Sequence, residues 1–257
     1  MDQLAAQNHG GGMAGMMHID IMTQPGNGPL GGSIDFAYRD ESLNAQNPFT
    51  PFKGQEGLQQ GGLTFSGSIV PNKSSFSLSV QYGSAFDSGN ILAAAPSGDT
   101  VASPIRRPVD RASINARFDQ AWGDGHLLRF SYQRTANEMR NQGVGSYDLI
   151  GRAYATPFAE NVFRVPENGA IGRRGFGESR LQVRWSDSTA ESAIEAQTVR
   201  VLDAFTSGGA QRRGGSRAVD FEAASDLDYV RGAHSMRMGL LVEGGRYRSN
   251  DEVNYFG

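Results

Sequence analysis

The residues able to do chemistry are few and scattered. The 257-residue chain has four histidines, His9, His18, His126 and His234, and no cysteine. Without a thiol there are no disulfides, no thiolate metal sites and no cysteine nucleophile. Neither a Gly-x-Ser-x-Gly elbow nor a His-Glu-x-x-His pair occurs, so a serine nucleophile and a zinc-bound water both lack their usual frame. His9, Met13, Met16, Met17, His18 and Met22 form the one group of soft ligands. Thioether and imidazole suit copper(I). The same stretch also alternates, with Met17, Ile19 and Ile21 on one side, and sulfur is ordinary packing material, so a strand is the preferred reading. Gly169–Gly177 has the glycine density of a phosphate-cradling loop but lacks the flanking strand and helix; it reads as a flexible loop. Arg212, Arg213 and Arg217 sit beside Gly214 and Gly215. They read as a solvated loop, though guanidinium groups also suit lipopolysaccharide phosphates. No catalysis, cofactor or metal site is expected.

Composition narrows the class further. Net charge is −3 with mixed signs and 38% of residues are hydrophobic, which is not the footprint of a nucleic-acid binder. No block of about eighteen apolar residues occurs, so membrane-spanning helices are excluded. A β-barrel in a membrane remains open, because only every second strand residue need face lipid.

Alternation of apolar and polar residues marks the positioning elements as strands. The clearest runs are Ile34, Phe36 and Tyr38; Leu63, Phe65 and Ile69; Phe76, Leu78, Val80 and Tyr82; Ala112 to Phe118; Leu128, Phe130 and Tyr132; Leu181, Val183 and Trp185; Val219 to Tyr229; and Met236 to Val242. A weaker strand over Glu191–Leu202 needs a bulge to reconcile its two parities. These nine strands are joined alternately by tight turns and long polar connections. The turns fall at Pro71–Ser74, Gly123–Gly125, Asp187–Thr189 and Arg231–Ala233, and the long connections at Asp40–Gln60, Phe86–Pro108, Ala136–Phe176 and Asp203–Ser216. Outer-membrane barrels have that asymmetry, with short periplasmic turns and long external loops.

Two residue sets follow from this reading. Trp122, Trp185 and Tyr229 precede tight turns, and Tyr38, Tyr82, Tyr132 and Tyr247 lie toward the long loops; together they are expected to form two aromatic girdles at the lipid interfaces. Arg117, Arg129, Arg184, Asp220 and Glu222 lie on the opposite parity. They are expected to face a wet or plugged lumen, because charge is costly against lipid.

Three segments carry a family resemblance. MHIDIMTQPGNGPLGGSIDFAYRDESLNAQNPF from Met17, the hairpin SGSIVPNKSSFSLSVQY (Ser66–Tyr82) and LDYVRGAHSMRMGLLVEGGRYRSND (Leu227–Asp251) resemble TonB-dependent outer-membrane receptors. The likeness is to the Oar-like subgroup, which carries an N-terminal carboxypeptidase-regulatory-like domain. The resemblance implies residues 1–29 as the end of a plug and 30–257 as the first part of a 22-stranded barrel, in a fragment of a longer chain. Met1–Gly12 indeed lacks the basic start and apolar core of a secretory signal. It further implies residence in the bacterial outer membrane, with lipid around the barrel, engagement of the TonB complex through a preceding region, and energised uptake of a large solute such as an oligosaccharide or siderophore. The alternative is an adhesion or secretion-accessory role without transport. External-loop aromatics Phe49, Phe52, Tyr147, Tyr154 and Phe158 are candidates to stack on a ligand, although packing over the barrel mouth is their simpler role.

Overall fold

The structure, a computed structural model, describes residues 25–256 except positions 27, 44, 46–55, 96 and 124. The Met/His-rich stretch, Phe49 and Phe52 lie outside the described residues. The chain is all-β. Its strands are β1 (Gly31–Asp40), β2 (Gly57–Val70), β3 (Ser74–Ala94), β4 (Thr100–Trp122), β5 (His126–Gln142), β6 (Tyr154–Ile171), β7 (Gly175–Ser192), β8 (Val199–Val201), β9 (Phe205–Ser207), β10 (Arg212–Arg231) and β11 (His234–Val253). Nine of them form one antiparallel up-and-down sheet in the order β1-β2-β3-β4-β5-β6-β7-β10-β11, and β8 and β9 make a separate small hairpin.

The long-and-short alternation holds in part: one turn moves, and the β3–β4 connection, expected to be long, is only the five residues between Ala94 and Thr100. Tight turns occupy 71–73, 123–125, 172–174 and 232–233, all at one end of the sheet. Asp187–Thr189, expected as a turn, is mid-strand in β7, with Asp187 opposite both Ala159 and Arg217. The real turn lies at 172–174, where Gly172 takes φ +64°, a conformation that glycine adopts without a Cβ penalty. The expected long loop Ala136–Phe176 therefore contains a whole strand, β6. The strand expected over Glu191–Leu202 is instead the end of β7 followed by a connection that includes β8. One strand missed and one misplaced leave the count at nine.

The ladder steps regularly. The last pair before each tight turn is Val70–Ser74, then Trp122–His126, Ile171–Gly175 and Arg231–His234. Followed along the row through Ser74, Gln120, Leu128, Glu167, Ser179, Ser225 and Leu240, each closing pair lies two residues beyond the previous one. Two residues rise about 6.6 Å while two strand spacings cover about 9.6 Å, a tilt of about 35°. Closed barrels need a tilt of this size. The sheet is thus an open barrel wall of nine strands, with β1 and β11 each paired on one side among the described residues.

At the other end, β3 and β4 run on as a tall hairpin to the pair Ala94–Thr100, so most of the expected loop Phe86–Pro108 is strand. Pro104 and Pro108 are tolerated there because β5 pairs with β4 only from Val109 onward, which leaves their side of β4 an edge. Residues 143–153 fold against this hairpin and bond to it: Leu92 N donates to Ser146 O at 2.8 Å and Ser146 N to Asn90 O at 2.8 Å. Ile91, Ala93, Ile105, Val144 and Ala153 form a buried cluster here, with Val101, Leu149 and Phe205 packed on it. Arg152 donates to Thr198 Oγ1 at 2.7 Å and to the Gly209 carbonyl, which ties the 193–211 connection to the same knot.

Gly214, in β10, has φ +118°, and a Cβ there would collide with the Asn250 carbonyl oxygen of β11. Gly214→Ala is expected to lower stability by about 2 kcal/mol. Gly61→Ala, whose Cβ would meet nothing closer than 3.8 Å, should stay within about 0.5 kcal/mol. Denaturant titration of the two variants checks the contrast.

Candidate functional site

Register assigns every strand residue to one of two faces, since directly opposed residues share a face and alternate residues share it too. One row reads Ile34, Leu63, Val80, Ile114, Arg134, Asn161, Trp185, Val219 and Arg246; the next toward the tight turns reads Gly32, Phe65, Leu78, Ala116, Tyr132, Phe163, Val183, Phe221 and Gly244. This is the mainly apolar face, and it extends across all nine strands, interrupted in the first row by Arg134, Asn161 and Arg246. No second layer covers it among the described residues: Ile34 is 83% exposed and Leu240 68%, and Phe36, Tyr82, Phe130, Leu181, Val219, Phe221 and Met238 are exposed as well.

The apolar band has edges, and the edges step with the turns. Setting aside Arg134 on β5, which is bonded to Asn161 within the band, its first charged residue on the loop side is Asp40 on β1, Asp110 on β4, Asp187 on β7, Arg217 on β10 and Arg246 on β11. Along the hydrogen-bonded rows that boundary descends from β1 to β11, in the same direction as the turns. Relative to an axis inclined about 35° to the strands, the band therefore lies roughly level. From Tyr229 to Val219 on β10, or Trp122 to Ala112 on β4, it extends ten residues, about 27 Å once tilt is included.

Polar groups inside the band are paired. Asn161, 4% exposed, accepts from Tyr132 Oη at 2.8 Å and from Arg134 Nη1 at 2.9 Å. Near the tight turns His126 Nδ1 lies 2.6 Å from Glu167 Oε1, and the His126 ring sits 4.9 Å from that of Trp122. Sequence reading missed both groups, and the β5–β6 pairing needed to find them was hidden with β6.

The expected aromatic set divides. Tyr38, Tyr82, Trp122, Tyr132, Trp185 and Tyr229 all fall on the apolar face, but Tyr247 stands opposite Ala218 on the other one. Trp122 and Tyr229 lie at the tight-turn edge. Trp185 does not, because its expected turn is absent; its ring packs 6.4 Å from Tyr132, toward the loop side.

The second face is polar and several of its charges are paired. Arg117, Arg129, Arg184, Asp220 and Glu222 all lie on it. Asp119, 7% exposed, is held between Arg117 Nε at 2.8 Å and Arg129 Nε at 2.7 Å. Arg180 Nε meets Glu222 at 2.7 Å, and Arg184 Nη2 meets Asp220 at 3.0 Å. Apart from Arg117–Asp119, which lies within β4, these pairs join neighbouring strands directly, so basic β7 and acidic β10 complement each other.

Toward the loop end the polar face opens into a cleft of about 1010 Å³, whose lining includes Arg39, Gln60, Gln81, Arg107, Arg111 and Asn137. Arg107 pairs with Asp87 at 2.9 Å. At the loop end of β1, Ser42 donates to Asp40 through Oγ at 2.6 Å and N at 2.9 Å, and these bonds hold the Asp40 carboxyl below the usual carboxylate range. Tyr154 and Phe158, nominated as loop aromatics, are strand residues of β6; Tyr147 lies in the 143–153 connection. The Arg212, Arg213 and Arg217 group lies on β10 and not in a loop: Arg212 stacks over Tyr154, Arg213 binds Glu252 at 2.6 Å and Arg217 binds Asp187 at 2.5 Å.

Asp119→Ala would leave two guanidinium groups facing each other without their shared acceptor. Stability is expected to fall by about 3 kcal/mol, measurable as a shift of the denaturation midpoint; additional Arg117→Gln should recover part of the loss.

No family model matches the chain, and no match is found among curated proteins or solved structures.

Proposed function

We propose that this sheet is part of the wall of a bacterial outer-membrane β-barrel of the TonB-dependent receptor type, and that the protein takes up a large polar solute across that membrane. The observation that carries the reading is the apolar band, uncovered among the described residues, about 27 Å high and running level around the barrel axis. Outer-membrane barrels present an apolar belt of about 25 Å, and a soluble protein seldom leaves so large a contiguous patch bare. Tight turns at one end and long connections at the other supply the direction, turns inward and loops outward.

The paired charges of the second face fit a wet or plugged lumen. Arg117, Arg129, Arg184, Asp220 and Glu222 would there meet water or a plug made by the preceding segment. The loop-end cleft, rich in arginine, glutamine and asparagine, is where an incoming polar solute would first be held. TonB acting on a region ahead of the barrel then supplies the energy, as the family resemblance implies.

Two experiments test this. Phe221→Arg places a cation in mid-band and is expected to cost about 2–4 kcal/mol in a bilayer. Asn115→Arg, on the polar face between Ser79 and Gln133, should cost less than about 1 kcal/mol. Equal costs, or a folded monomer in plain buffer, would end the membrane assignment. For transport, cells producing the protein should accumulate a labelled oligosaccharide, ferric siderophore or cobalamin, with accumulation lost when TonB is deleted. Unchanged uptake together with lost surface attachment would favour adhesion.

A further inference from the structure

The loop-side edge of the apolar band is not evenly charged. On β10 and β11 it carries Arg217, Arg246 and Arg248, all on the apolar face and all exposed. Arg217 stands directly opposite Arg248, and Arg246 is diagonal to Arg217 across the same two strands. Like charges directly opposed on a sheet destabilise it, so the arrangement calls for an anion. Asp187 answers one of the three, through Arg217. No ion pair reaches Arg246 or Arg248 among the described residues. Directly toward the tight turns on the same face follow Val219, Phe221, Val242 and Leu240.

We propose that Arg217, Arg246 and Arg248 form a binding site for the phosphate of a phosphorylated lipid in the leaflet on the loop side. Cross-strand neighbours lie about 5 Å apart and diagonal ones about 7–8 Å, so the three guanidinium groups can converge on one phosphate. Guanidinium binds phosphate with paired, charge-assisted hydrogen bonds. The source is a lipid because the cluster borders the apolar band: a phosphate held there has its acyl chains lying along Val219, Phe221, Val242 and Leu240, which a free ion could not use. The site therefore rests on the membrane reading above, and adds to it a headgroup class and an address.

The test uses the full chain in phosphatidylcholine vesicles, with diphosphoryl lipid A and dephosphorylated lipid A as probes. The wild type should insert into phosphatidylcholine alone and prefer the diphosphoryl form. R246Q/R248Q should insert equally well but bind that form about thirty-fold more weakly, since each arginine near a membrane surface contributes about 1 kcal/mol. R246K/R248K, which keeps charge without the planar fork, should fall in between. R237Q, on the same strand but the other face, should bind as the wild type does. Insertion with no preference between the two lipids overturns the site and leaves the membrane reading standing. Failure to insert overturns both. Displacement of lipid A by an equal concentration of inorganic phosphate, or an R237Q loss matching that of the double variant, overturns the lipid site.

Discussion

Among the described residues the apolar face of this sheet has no protein cover, and the rest of the wall is arranged around that fact. Hydrophobic burial ordinarily stabilises a sheet by bringing a second layer against it. Among the described residues the buried apolar side chains are few and, apart from Val162 in mid-wall, sit at the loop end, while Ile34, Phe130, Phe221 and Leu240 stay open along the wall. What holds the wall itself is the hydrogen-bonded ladder and the ion pairs on its far side, from Asp119 with its two arginines to Arg184 with Asp220. In hydrocarbon such ladders are obligatory, because an unpaired amide there finds no water to bond.

The staircase of closing pairs links local sequence to that surface. A shift of two residues per hairpin is a local property of turn placement, fixed by such residues as Gly123, Gly172 and Gly232 with their positive φ angles. Its global result is a tilt, and the tilt carries the apolar band round the wall at nearly constant height. Turn positions and side-chain polarity were free to disagree. That they descend together along the ladder is the strongest internal consistency in the fold.

Most of the wall was legible in the sequence because period-2 alternation survives wherever one face is apolar. Val219 to Tyr229 and Phe76 to Tyr82 are read from pattern alone. β6 was not, for a physical reason. Its apolar-face positions run Pro157, Ala159, Asn161, Phe163, Val165, Glu167, Gly169 and Ile171, so only Phe163, Val165 and Ile171 signal a strand. Asn161 and Glu167 are acceptable on that face only because Tyr132, Arg134 and His126 on β5 answer them, a pairing that no single-strand pattern can display. Asp187–Thr189 misled in the opposite way. Ser-Asp-Ser-Thr carries turn chemistry, yet Asp187 is held in the strand by Arg217 on its neighbour. Tyr247 failed as a girdle residue because Gly244 and Gly245 blurred the parity of β11. The charged set was easier: one strand's parity sufficed for each member, although their partners needed the register.

The knot of Ile91, Ala93, Ile105, Val144 and Ala153 gives the two ends of the molecule different sources of cohesion. Burial in the knot is driven by water, so solutes that weaken the hydrophobic effect should loosen it first. The band below, in the bilayer proposed for it, would gain nothing from water and answer to bilayer thickness and acyl order instead. On the proposed membrane reading, a single polypeptide joins a water-dependent cap to a lipid-dependent wall, and changes in medium on one side of the interface need not be felt on the other.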